Sequence, residues 1–119
     1  MIGVVVACHG GLAKCMIETA EMIMGAQEGV AAVSLDASEG LEDLKQKVKS
    51  TVESMDKGDG VLVLVDMFGG SPFMVSAVVA ATHKIEIVTG VNLPIVLEAM
   101  LHKDTVDLKS FAKSMAEKG

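Results

Sequence analysis

Three short stretches carry residue types that could do chemistry together. The first is His9, followed directly by Gly10-Gly11. An imidazole with one bare ring nitrogen can attack a phosphorus atom or take a proton from a hydroxyl. Glycines beside it let the backbone run close to a bound group, and a helix opening there would aim free amides at an anion. The second is Asp66, which closes the apolar run Val61-Leu-Val-Leu-Val65. A carboxylate that accepts a hydrogen bond from one ring nitrogen fixes the tautomer, leaves the other nitrogen with its lone pair, and stabilises the cation formed on modification. The third is Gly69-Gly70-Ser71-Pro72. Here Ser71 reads as a helix N-cap with proline at the first helical position, and its hydroxyl could also meet a phosphoryl oxygen. Taken singly, each has an ordinary reading: a histidine closing a strand, an aspartate in a turn, a serine capping a helix. Their joint meaning depends on whether the fold brings them to one place.

The elements that would do so are legible. Residues 2–7 and Val61–Val65 are unbroken, β-branched apolar runs, the mark of strands buried on both faces of a parallel sheet. Val30–Leu35 and residues 84–89 read as two less apolar strands. Between them lie helical patterns. Leu41, Leu44, Val48, Val52 and Met55 form an apolar stripe among charged residues. Leu12–Met24 reads as a helix closed by Gly25, a third helix starts at Ser71-Pro72, a fourth near Pro94, and a last covers residues 108–116. Alternation of strand and helix predicts one domain over residues 1–119: an α/β, flavodoxin-like, mostly parallel sheet of order 2-1-3-4 with helices on both faces. In such sheets ligands bind beyond the carboxyl ends of the strands, where the winding reverses. That point falls between the first and third strands, which puts His9, Gly10 and Gly11 opposite Asp66, Met67, Phe68, Gly69, Gly70 and Ser71. Met67 and Phe68 are the apolar residues there that could anchor a docking partner; their plainer role is core packing. The third and fourth helices lack a polar face, which points to a twofold dimer, with packing inside one subunit as the alternative.

Composition removes several function classes. The 119 residues are 50% hydrophobic and 22% charged, which excludes a disordered chain. Formal charge is −6, arginine is absent, and three Phe are the only aromatic residues, so a nucleic-acid surface is excluded. Without arginine, phosphoryl charge would rest on amides, hydroxyls and helix ends. A nucleophile elbow fails: Phe73 stands where Gly-x-Ser-x-Gly needs its last glycine, and Pro72 has no N–H for an oxyanion hole. A P-loop is absent, the first strand does not end in the acidic residues of a receiver domain, and no hydroxyl-rich loop with aromatic walls offers a flavin site. Cys8, His9 and Cys15 match no zinc spacing, so no metal is expected and both cysteines read as buried thiols. His83 and His102 read as surface residues near helix ends. No leader and no run near the roughly 20 apolar residues of a bilayer span is evident, so a cytoplasmic location is expected. A phosphoryl carrier using His9 and a module holding an anion without covalent chemistry both remain open on these residues.

The chain resembles the IIA component of the mannose-family sugar permeases of the bacterial phosphoenolpyruvate-dependent phosphotransferase system. The likeness spans nearly the whole chain. It rests on His9-Gly10, on Val65-Asp66-Met67-Phe68-Gly69-Gly70-Ser71-Pro72-Phe73, and on Thr89-Gly90-Val91-Asn92-Leu93-Pro94. The resemblance implies a phosphotransferase without cofactor, in which His9 takes a phosphoryl group on Nε2 from the histidine-containing phosphocarrier protein and passes it to a IIB component. Sugar entering through the membrane IIC and IID components is then phosphorylated, which would put the protein at the periphery of a permease complex. It further implies that Asp66 hydrogen-bonds Nδ1 and that the protein is a homodimer. Met74 departs from the asparagine many members carry there, and the end at Gly119 leads us to expect a IIB partner on a separate polypeptide. The phosphocarrier subunit of dihydroxyacetone kinase is a relative that also uses a histidine after the first strand; the two later blocks favour the permease branch.

Overall fold

A computed structural model describes residues 1–104 and 107–119. The elements follow in the order β1 (Gly3–His9), α1 (Leu12–Met24), β2 (Val30–Leu35), α2 (Leu41–Met55), β3 (Val61–Val65), α3 (Ser71–Ala80), β4 (Ile85–Thr89), α4 (Leu93–His102) and α5 (Leu108–Lys118). The four strands form one parallel sheet in the order β2-β1-β3-β4. This is the expected α/β topology.

The apolar runs become strands because both of their faces are covered. Along β1, Val4, Val6 and Cys8 face a core built with Ile17, Ile95, Met100, Phe111 and Met115, from α1, α4 and α5. Val5 and Ala7 face the opposite core with Leu44, Val48, Val52, Val75 and Val79, from α2 and α3. β1 runs two residues further than its apolar stretch implies, because Cys8 and His9 still pair with Ser34 and Leu35 of β2. His9 therefore keeps the strand's alternation and points to the face carrying α2 and α3.

Several sequence expectations change at the helices. Gly25 does close α1, at φ +85°, with its amide on the Glu21 carbonyl at 2.7 Å. The buried face of α1 is Ala13, Ile17 and Ala20. Cys15 lies on the other side and is exposed, so only Cys8 is a buried thiol. In α2 the predicted stripe buries Leu44, Val48 and Val52, but Leu41 in the first turn is 59% exposed. The apolar α4 finds its cover within the same subunit: it packs between α1 and α5 and buries Ile95, Val96, Ala99 and Met100. The apolar α3 does not, and Met74, Ala77, Val78 and Ala81 stay exposed along one side. His83 is half-buried rather than a free surface residue, because its ring lies 2.8 Å from both Glu53 and Thr82. His102 is exposed at the end of α4, 3.1 Å from Glu98. Among the described residues no helix is long and apolar enough to cross a membrane.

Candidate functional site

The pairing of β1 with β3 sets Ala7 opposite Val65. His9 and Asp66 therefore leave adjacent strands at the same edge of the sheet. Oδ2 of Asp66 accepts the His9 backbone amide at 2.9 Å and lies 2.8 Å from His9 Nδ1. The other carboxylate oxygen accepts the Met67 amide at 3.0 Å. Two backbone amides thus aim the carboxylate before the ring is considered, and the ring meets an oriented acceptor.

Burial acts to raise the Asp66 carboxyl and is the largest single influence, yet the bonds from the His9 amide and ring outweigh it and hold the group below the usual carboxylate range. An ionised carboxylate can only accept, so in the neutral ring Nδ1 carries the proton and Nε2 the lone pair. The two partners differ in access: the His9 side chain is 45% exposed and that of Asp66 13%. The ring is half open to solvent while its orienting carboxylate is sheltered.

The loops around the pair are shaped for this edge. Gly10 takes φ +57° and its amide bonds the Leu35 carbonyl at 2.8 Å, which turns the chain sharply out of β1. Gly11 caps α1. Gly69 takes φ +83°, bending the chain between β3 and α3. Gly70 approaches the ring itself, since a Cβ built on it would stand 2.9 Å from His9 Cε1 and 3.6 Å from Nε2. One anchor was not anticipated. The Val91 amide bonds the Val65 carbonyl at 3.0 Å, tying the loop after β4 to the residue before Asp66. Asn92 then caps α4, its Oδ1 accepting from the Ile95 amide at 3.1 Å. The signal was present in the sequence as an Asx residue two positions before Pro94.

The expected N-cap at Ser71 is not found. Gly70 occupies the cap position, Ser71 is the first helical residue and Pro72 the second. A proline tolerates the second helical position as well as the first, because neither needs its N–H, and that ambiguity shifted the cap by one residue. Met67 and Phe68 are not core residues: they are 56% and 75% exposed. Phe68 rests against Phe73, with ring centroids 4.7 Å apart and planes at 46°.

Cys8 takes no part as a nucleophile. Burial pushes its thiol up to about 12, with the nearby Asp66 charge adding to the effect, so it stays protonated. Among the described residues no three His, Cys, Asp or Glu side chains converge as metal ligands, and no hydroxyl hydrogen-bonds to His9 Nε2 as a serine hydrolase would require. A groove of about 720 Å³ between β2 and α2 includes neither His9 nor Asp66. The His9 side chain is instead half open to solvent, which suits delivery of a group by another macromolecule better than enclosure of a small substrate.

Comparison with known proteins finds relatives over nearly the whole chain. The family model described as PTS system fructose IIA component (EIIA-man) matches residues 3–116. The chain is 36% identical over 104 residues to the PTS system mannose-specific EIIAB component of Escherichia coli (strain K12); the match covers 87% of this chain but 32% of that protein, so the chain spans about a third of its length. It is 31% identical over 116 residues to the PTS system fructose-specific EIIA component of Bacillus subtilis (strain 168), covering 97% and 80% of the two chains. Among solved structures, the mannose/sorbose specific IIA subunit of the phosphotransferase system from Enterococcus faecalis superposes with a TM-score of 0.90 at 26% identity, over 99% of this chain and 89% of that one.

Proposed function

The chain belongs to the mannose-family IIA components of the phosphotransferase system, phosphoryl carriers of sugar uptake, and from that premise we propose that His9 is the residue that carries the group. The observation behind this is the 2.8 Å contact of Nδ1 with an ionised Asp66 while the ring stands open to solvent. The Nε2 lone pair attacks the phosphorus of a donor phosphohistidine. One N–P bond forms as another breaks, and the electron pair of the broken bond returns to the donor nitrogen. No proton has to leave Nδ1, and the cationic ring that results lies against the Asp66 carboxylate. Catalysis is then mainly the holding of donor and acceptor nitrogens in line.

The donor in this reading is the histidine-containing phosphocarrier protein and the acceptor a IIB component, with the membrane components IIC and IID served indirectly. Gly10, Gly11, Gly69 and Gly70 leave backbone room for the phosphoryl oxygens, and Ser71 offers its hydroxyl. Ser71→Ala is expected to slow transfer about tenfold, the worth of one hydrogen bond to a charged group. Since Ser71 is not the cap, its melting temperature should stay at the wild-type value; a drop would return Ser71 to a structural role. Met67 and Phe68 form the partner's apolar footing. Phe68→Ala should raise the half-saturating donor concentration about tenfold, with the rate at saturation unchanged. A change confined to the saturated rate would remove Phe68 from docking. The exposed side of α3 around Met74 and Val78 is the surface we assign to a second copy in a homodimer, a state that sedimentation would read directly.

The deciding test is intact mass after incubation with phosphoenolpyruvate, enzyme I and the phosphocarrier protein. A gain of one phosphoryl mass, lost in acid and stable in base, is the expected result. Binding of the phosphocarrier protein with no mass gain would favour a non-covalent anion-binding module instead.

A further inference from the structure

We propose that the missing side chain at Gly70 sets which nitrogen of His9 is phosphorylated; this rests on the reading of His9 as the phosphoryl acceptor. Gly70 caps α3 with φ −75° and ψ 171°, an extended conformation open to any residue. The backbone therefore gives no reason for glycine there. The neighbours do. A Cβ at Gly70 would lie 2.9 Å from His9 Cε1, 3.2 Å from Met67 Cγ and 3.6 Å from His9 Nε2. Cε1 is the ring carbon between the two nitrogens. The imidazole is thus held on one side by Asp66 at Nδ1, and its Cε1 edge stands where a side chain at Gly70 would begin.

Gly40 is a matched comparison within the same chain. It caps α2 with φ −85° and ψ 171°, almost the same backbone, yet a Cβ there meets nothing within 4 Å. Exchange of the cap glycine for alanine can therefore be separated from collision with the ring. At Gly70 a methyl group claims the space of Cε1, so the ring must shift, and we expect that shift to carry Nδ1 away from Asp66 Oδ2. A ring freed from Asp66 presents both nitrogens and is no longer held in the Nδ1–H tautomer. Gly70 is in this sense a positioning residue, acting on the phosphoryl group through His9.

The test compares wild type, Gly40→Ala and Gly70→Ala in single-turnover phosphorylation, with the phosphohistidine isomer identified by NMR. Wild type and Gly40→Ala should carry the group on Nε2 alone. Gly70→Ala should transfer on the order of 100-fold more slowly, and its residual label should include the Nδ1 isomer. Wild-type speed, or slow transfer with the Nε2 isomer alone, would overturn the inference. If Gly70→Ala takes up no label, the ring nitrogens of the unmodified variant are read instead: mixed tautomers support the inference, and the wild-type Nδ1–H tautomer defeats it. Should Gly70→Ala fail to fold, the double variant His9→Ala with Gly70→Ala decides the matter. Recovery of the fold identifies the ring as the obstacle; continued unfolding places the conflict at Met67 or elsewhere and sinks the idea. Absence of label on His9 in the wild type would reject the carrier assignment itself, and this inference with it.

Discussion

His9→Ala is expected to abolish phosphoryl uptake altogether while leaving the fold intact. The side chain is half open to solvent, so its removal opens no cavity, and its backbone amide can still donate to Asp66. Two other nucleophiles are poorly placed to substitute. Cys8 is buried and its thiol stays protonated. Both ring nitrogens of His83 are engaged, one near Thr82 and one near Glu53. Phosphoryl uptake by the variant should fall below detection when the wild type is fully labelled under the same conditions. Label at wild-type yield on any other residue would show that the carrier lies elsewhere. An unlabelled variant with an unchanged melting temperature separates lost chemistry from lost structure.

Asp66→Asn should slow transfer by on the order of 100-fold or more, between the loss seen for a carboxylate behind a metal-bound imidazole and that for the aspartate of a Ser-His-Asp triad. Two physical losses combine. A neutral amide does not stabilise the ring cation formed when phosphorus bonds to Nε2. Its NH₂ can also donate to Nδ1, which stabilises the tautomer with the proton on Nε2 and removes the attacking lone pair. Unchanged single-turnover rates would take Asp66 out of the mechanism. The same variant tests the electrostatics through stability. The Asp66 carboxyl is lowered by folding, so its contribution is present in full above the unfolded carboxylate range. It is lost as pH falls through the lower value of the folded state. The gap in melting temperature between wild type and Asp66→Asn should therefore be widest near neutrality and close on acidification. A gap independent of pH would mean that packing, not charge, accounts for the pair.

Much of the fold was readable because the strands of a covered parallel sheet leave an unmistakable trace. Val4-Val5-Val6 and Val61 to Val65 have no polar face to offer, so helices must cover both sides. The order of the elements then fixes the reversal of winding between β1 and β3, and with it the meeting of His9 and Asp66. The misreadings concern positions where local pattern is degenerate. Ser71-Pro72 fits a helix start in two registers, and only the path of Gly69-Gly70 chooses between them. Leu41 belongs to the stripe of α2 by spacing, but it is the first helical residue and stays exposed, while Leu44, Val48 and Val52 are buried. α4 and α3 are equally apolar in sequence, yet α5 folds back over the first and nothing in the described chain covers the exposed side of the second.

By itself the sequence determined the candidate residues and the edge of the sheet at which they stand, because strand length, alternation and crossover handedness are local or topological rules. Only the tertiary structure decided the ring's orientation. That depends on the Asp66 carboxylate at Nδ1, on the His9 amide that aims this carboxylate, and on the space left at Cε1 by the absent side chain of Gly70. Distances of about 3 Å between residues some 60 positions apart are set by how β1, β3 and α3 pack together, and residue spacing along the chain does not encode them.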